Sequence, residues 1–175
     1  ANEAKNDTGL NPLSNNKNSG GGQGNAVKVP AREFDVPVMC DIVEWVYNID
    51  GTWGLKFDKS ENSSKAHDGY VNMGVYDDKG NIVCKVYCFD ANGHMVTGWG
   101  KDDAGNIYFF ENQKTVDEGV MADGWKEIDG VWFFFNPDGK LLRNGMAPDG
   151  SLVGEDGSWK DPNAKEDNMV VIPIL

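Results

Sequence analysis

Four consecutive aromatic residues, Trp132 to Phe135, constrain the fold of this chain more than any other feature of its sequence. In a β-strand, alternate side chains point to opposite faces, so Trp132 and Phe134 would cover one face and Phe133 and Phe135 the other. A surface strand usually keeps one polar face. We therefore expect both faces of this strand to lie against other parts of the protein, although the chain carries a formal net charge of −12.

Turn sequences separate the short apolar and aromatic runs from Phe34 onward. They read DDKGN, DANGH, DDAGN, NPDGK and GEDGS, beginning at residues 77, 90, 102, 136 and 154. Asp and Asn side chains accept backbone N–H bonds and Gly takes positive φ, which is typical of hairpin loops. Since no segment longer than ten residues has convincing helical periodicity, the sequence predicts a nearly all-β domain.

The aromatic strand belongs to an internal repeat. WFFFNPDG, from Trp132, matches VYCFDANG, from Val86, without a gap. GVMADGW, from Gly119, matches GHMVTGW, from Gly93, again without a gap. Such units cannot bury a hydrophobic face alone, so they stack on one another.

Other copies of the repeat are less regular. IYFF at 107–110 matches WFFF, and WVYNIDGTW at 45–53 resembles WKEIDGVW at 125–132 with one residue inserted. The spacing is uneven because NQKTVDE, at 112–118, adds residues between two units, and Met146 takes the position of the next Trp.

These units resemble the cell-wall-binding repeat family of Gram-positive bacteria and their phages, which includes choline-binding modules and glucan-binding repeats. GWKEIDGVWFFFNPDG at 124–139 and FDANGHMVTGW at 89–99 fit its pattern closely. The resemblance covers residues 42 to 160 and is strongest over 86 to 145. It implies a solenoid of stacked β-hairpins, built from degenerate aromatic and Gly repeats of about twenty residues.

The resemblance also implies a ligand site, because the family holds choline between successive hairpins in a cage of two Trp and a further aromatic or Met. Cation–π attraction is the physical basis of such a cage. By this comparison only the Trp125/Trp132 unit has both tryptophans of the cage, so we expect the cage there. The predicted ligand-binding residues are Trp99, Tyr108, Trp125, Trp132, Phe133 and Met146. Sugar stacking and core packing are the alternative uses of these aromatics; core packing is expected for Phe134 and Phe135.

We predict three regions along the chain. Residues 1–30 are expected to form a flexible Gly/Asn-rich linker, since they have little to bury. Residues 31–68 form an N-terminal capping β unit or a separate small β unit. Residues 69–175 hold the hairpin repeats and a C-terminal cap, with a terminal strand at 170–175.

The acidic composition, with a pI of about 4.4, argues against nucleic acid and anionic membrane surfaces as partners. No apolar run reaches transmembrane length, so membrane insertion is not expected. The predicted partner is a cell-wall polymer, through choline or a glycan, and the resemblance implies a secreted, cell-surface location. Self-association through exposed strand edges is the alternative.

No sequence motif for catalysis, a cofactor or a metal is present. The chain lacks a nucleophile elbow, zinc-ligand spacing and a phosphate loop, and its Asp-rich turns lack the ligand series of an EF-hand. We therefore predict a non-catalytic protein without cofactor or metal. Cys40, Cys84 and Cys88 are interpreted as small buried hydrophobic residues, with pairing of Cys40 to either of the others left open, and His67 and His94 as solvated.

Overall fold

The computed structural model describes residues 25–164. Its strands, in chain order, are β1 (Val27–Lys28), β2 (Asp35–Met39), β3 (Glu44–Tyr47), β4 (Trp53–Lys56), β5 (Gly69–Tyr76), β6 (Ile82–Phe89), β7 (Gly98–Lys101), β8 (Ile107–Phe110), β9 (Gly124–Ile128), β10 (Val131–Phe135), β11 (Gly145–Met146) and β12 (Leu152–Val153). Every one of these elements is a strand, which confirms the all-β prediction.

Ten of the strands form five antiparallel hairpins, which we number in chain order within the described residues. Hairpin 1 is β3–β4, hairpin 2 is β5–β6, hairpin 3 is β7–β8, hairpin 4 is β9–β10 and hairpin 5 is β11–β12. We call the segment after each hairpin its linker.

Backbone hydrogen bonds join the hairpins in a regular stack, because each linker donates an N–H to the hairpin that precedes its own. The N–H of Met95, after hairpin 2, donates to the Trp53 carbonyl of hairpin 1 at 2.8 Å. Met121, after hairpin 3, donates in the same way to Val86 at 2.8 Å. The same 2.8 Å bond recurs from Leu141 to Ile107 and from Trp159 to Trp132. This step accounts for the stacked-hairpin architecture that the repeat predicts.

The aromatic strand β10 has the two faces that its sequence predicts. Phe133 and Phe135 are both fully buried, in a core cluster that also holds Trp99. On the opposite face, Phe134 is half-buried beneath Trp125, at 5.3 Å between ring centroids, and Trp132 is exposed. The expectation that Phe134 is a core residue is therefore met only in part.

Aspartate side chains close the turns as the sequence predicts. The Asp77 carboxylate accepts the Asn81 N–H at 2.8 Å, and that of Asp90 accepts the His94 N–H at 2.9 Å. Asp102 is buried and also accepts the hydroxyl of Tyr108 at 3.0 Å. These bonds satisfy backbone donors that the tight loops would otherwise leave without partners.

The segment before hairpin 1 packs along the stack. Strand β1 pairs in parallel with β7, β2 pairs in parallel with β5, and Val29 is buried. Residues 25–30 therefore do not behave as the predicted flexible linker, and the rest of that linker lies outside the described residues. Residues 44–56 form hairpin 1, which joins the stack as a repeat. The predicted terminal strand at 170–175 also lies outside the described residues.

The cysteines and histidines occupy varied environments. Cys40, Cys84 and Cys88 are all free thiols; Cys88 is buried, but Cys84 is exposed, so its interpretation as a buried residue is wrong. His67 is exposed, whereas His94 is half-buried, with ring nitrogens 3.6 Å and 3.8 Å from carboxylate oxygens of Asp50 and Asp90.

Within residues 25–164, no helix is long and apolar enough to cross a membrane.

Candidate ligand-binding grooves

Each pair of neighbouring hairpins forms a groove. The strand register defines four positions that recur in every groove. From the first groove to the fourth, the position on the first strand of the earlier hairpin holds Trp45, Tyr70, Trp99 and Trp125. Their cross-strand partners are, in the same order, Leu55, Cys88, Phe109 and Phe134. The second-strand position, whose carbonyl accepts the linker bond, holds Trp53, Val86, Ile107 and Trp132. The next-hairpin position holds Tyr87, Tyr108, Phe133 and Ser151, and the linker position holds Met95, Met121, Leu141 and Trp159.

The first groove contains an open aromatic pocket of about 240 Å³. Trp45 and Trp53 of hairpin 1, Tyr87 of hairpin 2 and Met95 of the following linker line it. These four residues occupy the four equivalent positions, so the pocket is a regular consequence of the stacking. Thr115, Val116 and Glu118 also line it.

The rings of the first groove meet at steep angles. Trp45 stands at 85° to Trp53, with centroids 6.3 Å apart, and at 71° to Tyr87, with centroids 5.1 Å apart. Such a corner presents ring faces from different directions to one small volume. A compact cation is attracted to the negative face of each ring, so the geometry suits a cation better than a flat molecule.

Negative charge reaches the first groove from the linker after hairpin 3. Glu118 lines the pocket, and its carboxylate is 3.3 Å from the ammonium of Lys114, whose side chain is largely exposed. The neighbouring Gly119 has positive φ and lies so close to the Met95 sulfur that a Cβ there would collide with it. A glycine is therefore required where this linker crosses the groove.

Tyr87 is held in its neutral form at physiological pH. Burial, with smaller effects from the charges of Asp117 and Cys40, raises the pKa of Tyr87 to about 12. Its ring therefore acts as an uncharged aromatic wall across the pH range in which proteins are usually studied.

The second and third grooves are filled. Tyr70, Tyr108 and Met121 pack together in one core cluster of the second groove, with the Tyr rings 6.1 Å apart. In the third groove, Trp99 and Phe133 are buried 5.1 Å apart. A ligand could reach these side chains only if the groups that fill the two grooves were displaced.

The fourth groove is accessible but differs from the first. Trp132 is 42% exposed and Trp159 is 40% exposed, while Ser151 takes the position of an aromatic wall. The Trp125 indole nitrogen donates to the Asp149 carboxylate at 3.0 Å. Among the described residues, no close ring pair joins Trp125 to Trp132.

The six predicted site residues therefore fall into two groups. Trp99, Tyr108 and Phe133 are buried core residues, which corrects their placement in an accessible cage. The others, Trp125, Trp132 and Met146, lie at the accessible C-terminal end, and their role in ligand binding stays a prediction.

The sequence reasoning missed the first groove, because it counted both tryptophans only in the Trp125/Trp132 unit. In the structure Trp45 pairs with Leu55 as Trp125 pairs with Phe134, so hairpin 1 also holds two tryptophans. The match of WVYNIDGTW to WKEIDGVW contained this signal. The inserted residue lies in the loop 48–52 and leaves the register of the two tryptophans unchanged.

Comparison with known families identifies one of these units. Residues 123–141 match the choline-binding family model, whose description is a cell wall binding repeat. Hairpin 4 is thus similar to a cell wall binding repeat. The matched segment comprises hairpin 4 and the start of its linker, up to Leu141, and the register relates it to the other four hairpins.

Several solved structures are similar to parts of the chain. Choline binding protein F of Streptococcus pneumoniae, solved with a peptidoglycan analogue, is 26% identical over 67% of this chain and 33% of that protein, with a TM-score of 0.48. The choline binding domain of Spr1274 from the same species is 25% identical over 50% and 93% of the two chains, with a TM-score of 0.37. The multimodular pneumococcal cell wall endolysin from phage Cp-1, complexed with choline, is 22% identical over 59% and 25%, with a TM-score of 0.41.

The match to choline binding protein F spans about a third of that protein's length. No curated protein matches the sequence.

Proposed function

We propose that this chain is a non-catalytic module that attaches to a cell-wall polymer by binding the quaternary ammonium group of choline in the first groove. The observation that carries the proposal is the pocket formed by Trp45, Trp53, Tyr87 and Met95. The family of the repeat at 123–141 supports the choice of ligand. A cell-surface location follows from this role, and secretion is part of the proposal.

The pocket chemistry favours a quaternary ammonium over other small ligands. Each ring contributes about 0.5–2 kcal/mol of cation–π attraction, depending on desolvation. The Met95 thioether supplies a soft apolar wall, and Glu118 adds a carboxylate to the lining. A trimethylammonium group donates no hydrogen bonds, so it suits walls that offer ring faces and methyl groups.

The expected affinity of one such site is modest. Three rings at about 1–1.5 kcal/mol each give a dissociation constant near the millimolar range, since 1 mM corresponds to about −4.1 kcal/mol. A polymer that carries many choline groups would be held more firmly, because several molecules or sites then act together.

Calorimetry with choline chloride, on the full chain, tests the proposal. We expect the wild-type protein to bind one choline and the Trp53→Ala variant to bind about five- to tenfold more weakly, because it lacks the contribution of one ring. Trp132→Ala is the matched control, because it removes the equivalent indole from hairpin 4 and should leave the affinity unchanged. Absence of binding to the wild type, or an equal loss in both variants, would contradict the assignment to the first groove.

A second candidate site is the fourth groove, where Trp125, Trp132 and Met146 of the sequence prediction lie. The exposed residues Trp132 and Trp159 are joined by a backbone hydrogen bond of 2.8 Å, and exposed indoles suit stacking on sugar rings. Retention on choline-free wall glycans, lost in Trp159→Ala but kept in Trp53→Ala, would support a glycan role. No retention of the wild type would exclude it.

Self-association through exposed strand edges remains the alternative interpretation. Sedimentation of the full chain over a wide concentration range distinguishes it: a monomer that binds choline supports the proposed module, whereas a dimer that binds no choline supports the alternative.

A further inference from the structure

The second groove is filled by a cation that belongs to the chain itself. The guanidinium carbon of Arg32 lies 5.9 Å from the ring centroid of Tyr70. Its Nη1 donates to the Met121 sulfur at 3.7 Å and to the backbone carbonyl of Asp138 at 2.6 Å. Nε and Nη2 donate to the two carboxylate oxygens of Asp35 at 3.0 Å and 2.6 Å.

The groups around Arg32 are equivalents of the walls of the first groove. Tyr70 takes the position of Trp45, and Met121 takes that of Met95. Asp138 takes the position of Glu118, since each precedes a glycine whose added Cβ would collide with the sulfur of the linker Met. The guanidinium therefore lies in the second groove where a ligand cation would lie in the first.

The surroundings of Arg32 are built for a positive charge. The Arg32 and Asp35 side chains are 15% and 16% exposed, so their two parallel hydrogen bonds lie largely out of water. The hydroxyl of Tyr70 donates to the carbonyl of Pro30 at 2.8 Å, which fixes the segment that carries Arg32. Removing the guanidinium would leave the Asp35 carboxylate, the Asp138 carbonyl and the Tyr70 ring facing an open volume. A partly buried carboxylate without a partner favours entry of another cation.

We infer that the second groove is a latent quaternary-ammonium site that the chain fills with its own Arg32. The arginine acts as an internal ligand: it closes the second groove to external cations and fastens the segment before hairpin 1. This inference rests on the proposed function for the choice of ligand, but its own evidence is the set of contacts around Arg32.

Aromatic-ring NMR of the full chain, titrated with choline chloride, tests the inference. In the wild type we expect the tyrosine signals of Tyr70 and Tyr108 to stay fixed. In Arg32→Ala we expect them to shift saturably, and the number of bound cholines to rise from one to two. Arg32→Met is the matched control, because a neutral side chain of similar length should keep the groove filled and bind no second choline.

The outcomes separate this inference from the proposed function. Shifts of Tyr70 in Arg32→Ala support the inference whether or not the first groove responds. A folded Arg32→Ala whose Tyr70 signals stay fixed overturns it, even if Trp45 and Trp53 respond to choline. If neither groove responds, both proposals fail.

A milder variant keeps the test decisive if Arg32→Ala does not fold. Asp35→Asn leaves the arginine in place but removes the charge that holds it, so choline should displace the guanidinium at higher concentration and shift Tyr70. Fixed Tyr70 signals in folded Asp35→Asn, at choline concentrations tenfold above those that saturate the first groove, would overturn the inference.

Discussion

The indole rings of Trp45 and Trp53 stand at 85° to each other, with centroids 6.3 Å apart, and form two walls of an open pocket. The equivalent indoles of hairpin 4, Trp125 and Trp132, form no such pair within the described residues. The next hairpin and its linker also differ between the two grooves. Tyr87 and Met95 complete the walls of the first groove, whereas Ser151 stands at the aromatic position of the fourth.

The Glu118 carboxylate, which lines the first groove, should strengthen choline binding. We expect Glu118→Gln to weaken binding severalfold, and the loss to shrink at high salt because charge interactions near the surface are screened. Asp117→Asn is the matched control: it removes the neighbouring charge, which pairs with Lys85 at 2.6 Å and does not line the pocket. Calorimetry at low and high salt measures the choline affinity of both variants. Equal losses of affinity in the two variants would contradict a local role for Glu118.

The buried Trp99 should be required for stability, not for ligand binding. Trp99→Ala should lower the free energy of unfolding by about 3–5 kcal/mol, the range for large aromatic residues in a core. Trp132→Ala, at the exposed end, should cost about 1 kcal/mol or less. Urea unfolding of both variants tests this contrast, and a small effect of Trp99→Ala would show that its groove is not close-packed.

The sequence predicts the stack better than it predicts the site, for a physical reason. Register follows from local pattern: a Gly turn and an aromatic run place Phe135 and Phe89 at the same position in their hairpins, as the structure confirms. Openness of a groove depends on long-range packing. Trp99 and Trp125 follow the same Gly-Trp pattern, yet one is buried and the other is accessible.

The other features that the sequence did not predict also depend on contacts between distant segments. NQKTVDE was recognised as an insertion, but its position over the first groove depends on how the linker after hairpin 3 lies against hairpins 1 and 2. Arg32 lies in a segment with no repeat pattern, and its partners Met121 and Asp138 are about ninety and a hundred residues away in sequence. No local spacing rule could have brought these groups together.

The buried carboxylate of Asp102 should stabilise hairpin 3. It accepts bonds from the backbone of Ala104 and Asn106 and from the Tyr108 hydroxyl. Asp102→Ala leaves that hydroxyl without its partner, so we expect a loss of about 2–3 kcal/mol in the free energy of unfolding. Asp77→Ala, which removes the same turn bonds at an exposed site, should cost clearly less. Equal losses in chemical denaturation would contradict the role of Tyr108.

The same carboxylate should make stability fall in acid. Burial raises the pKa of Asp102, but the hydrogen bonds from Asn106 and Tyr108 outweigh it, so the net pKa is lowered from its ordinary value of 3.8. The folded state therefore binds the proton more weakly than the unfolded state. The contribution of Asp102 to the free energy of unfolding is complete above about pH 4 and is lost as the pH falls through its folded-state pKa. Unfolding curves of wild type and Asp102→Asn between pH 5 and 2, where only the wild type should show this loss, test the prediction.

Alkaline pH should destabilise the stack through buried neutral groups. Burial raises the pKa of the Cys88 thiol from 9.0 to about 12, and that of Tyr87 from 10.0 to about 12. Both groups bind their protons more tightly in the folded state, so stability is complete below about pH 9 and falls between pH 9 and 12. Each group contributes a slope of up to about 1.4 kcal/mol per pH unit.

Urea unfolding at successive pH values measures this slope. In Cys88→Ala the decline should begin about one pH unit later, because Tyr87 and the other buried tyrosines are then the first groups to titrate. An unchanged onset would contradict the assignment to the thiol.

A choline titration followed through the indole N–H signals of the full chain tests directly whether choline binds in the first groove. Each of the six tryptophans gives its own signal, so one experiment compares the first, third and fourth grooves, which contain all of them. We expect saturable shifts of Trp45 and Trp53, with small or no shifts of Trp125, Trp132 and Trp159. Fixed signals for Trp45 and Trp53 at saturating choline, or shifts confined to Trp125 and Trp132, would contradict it.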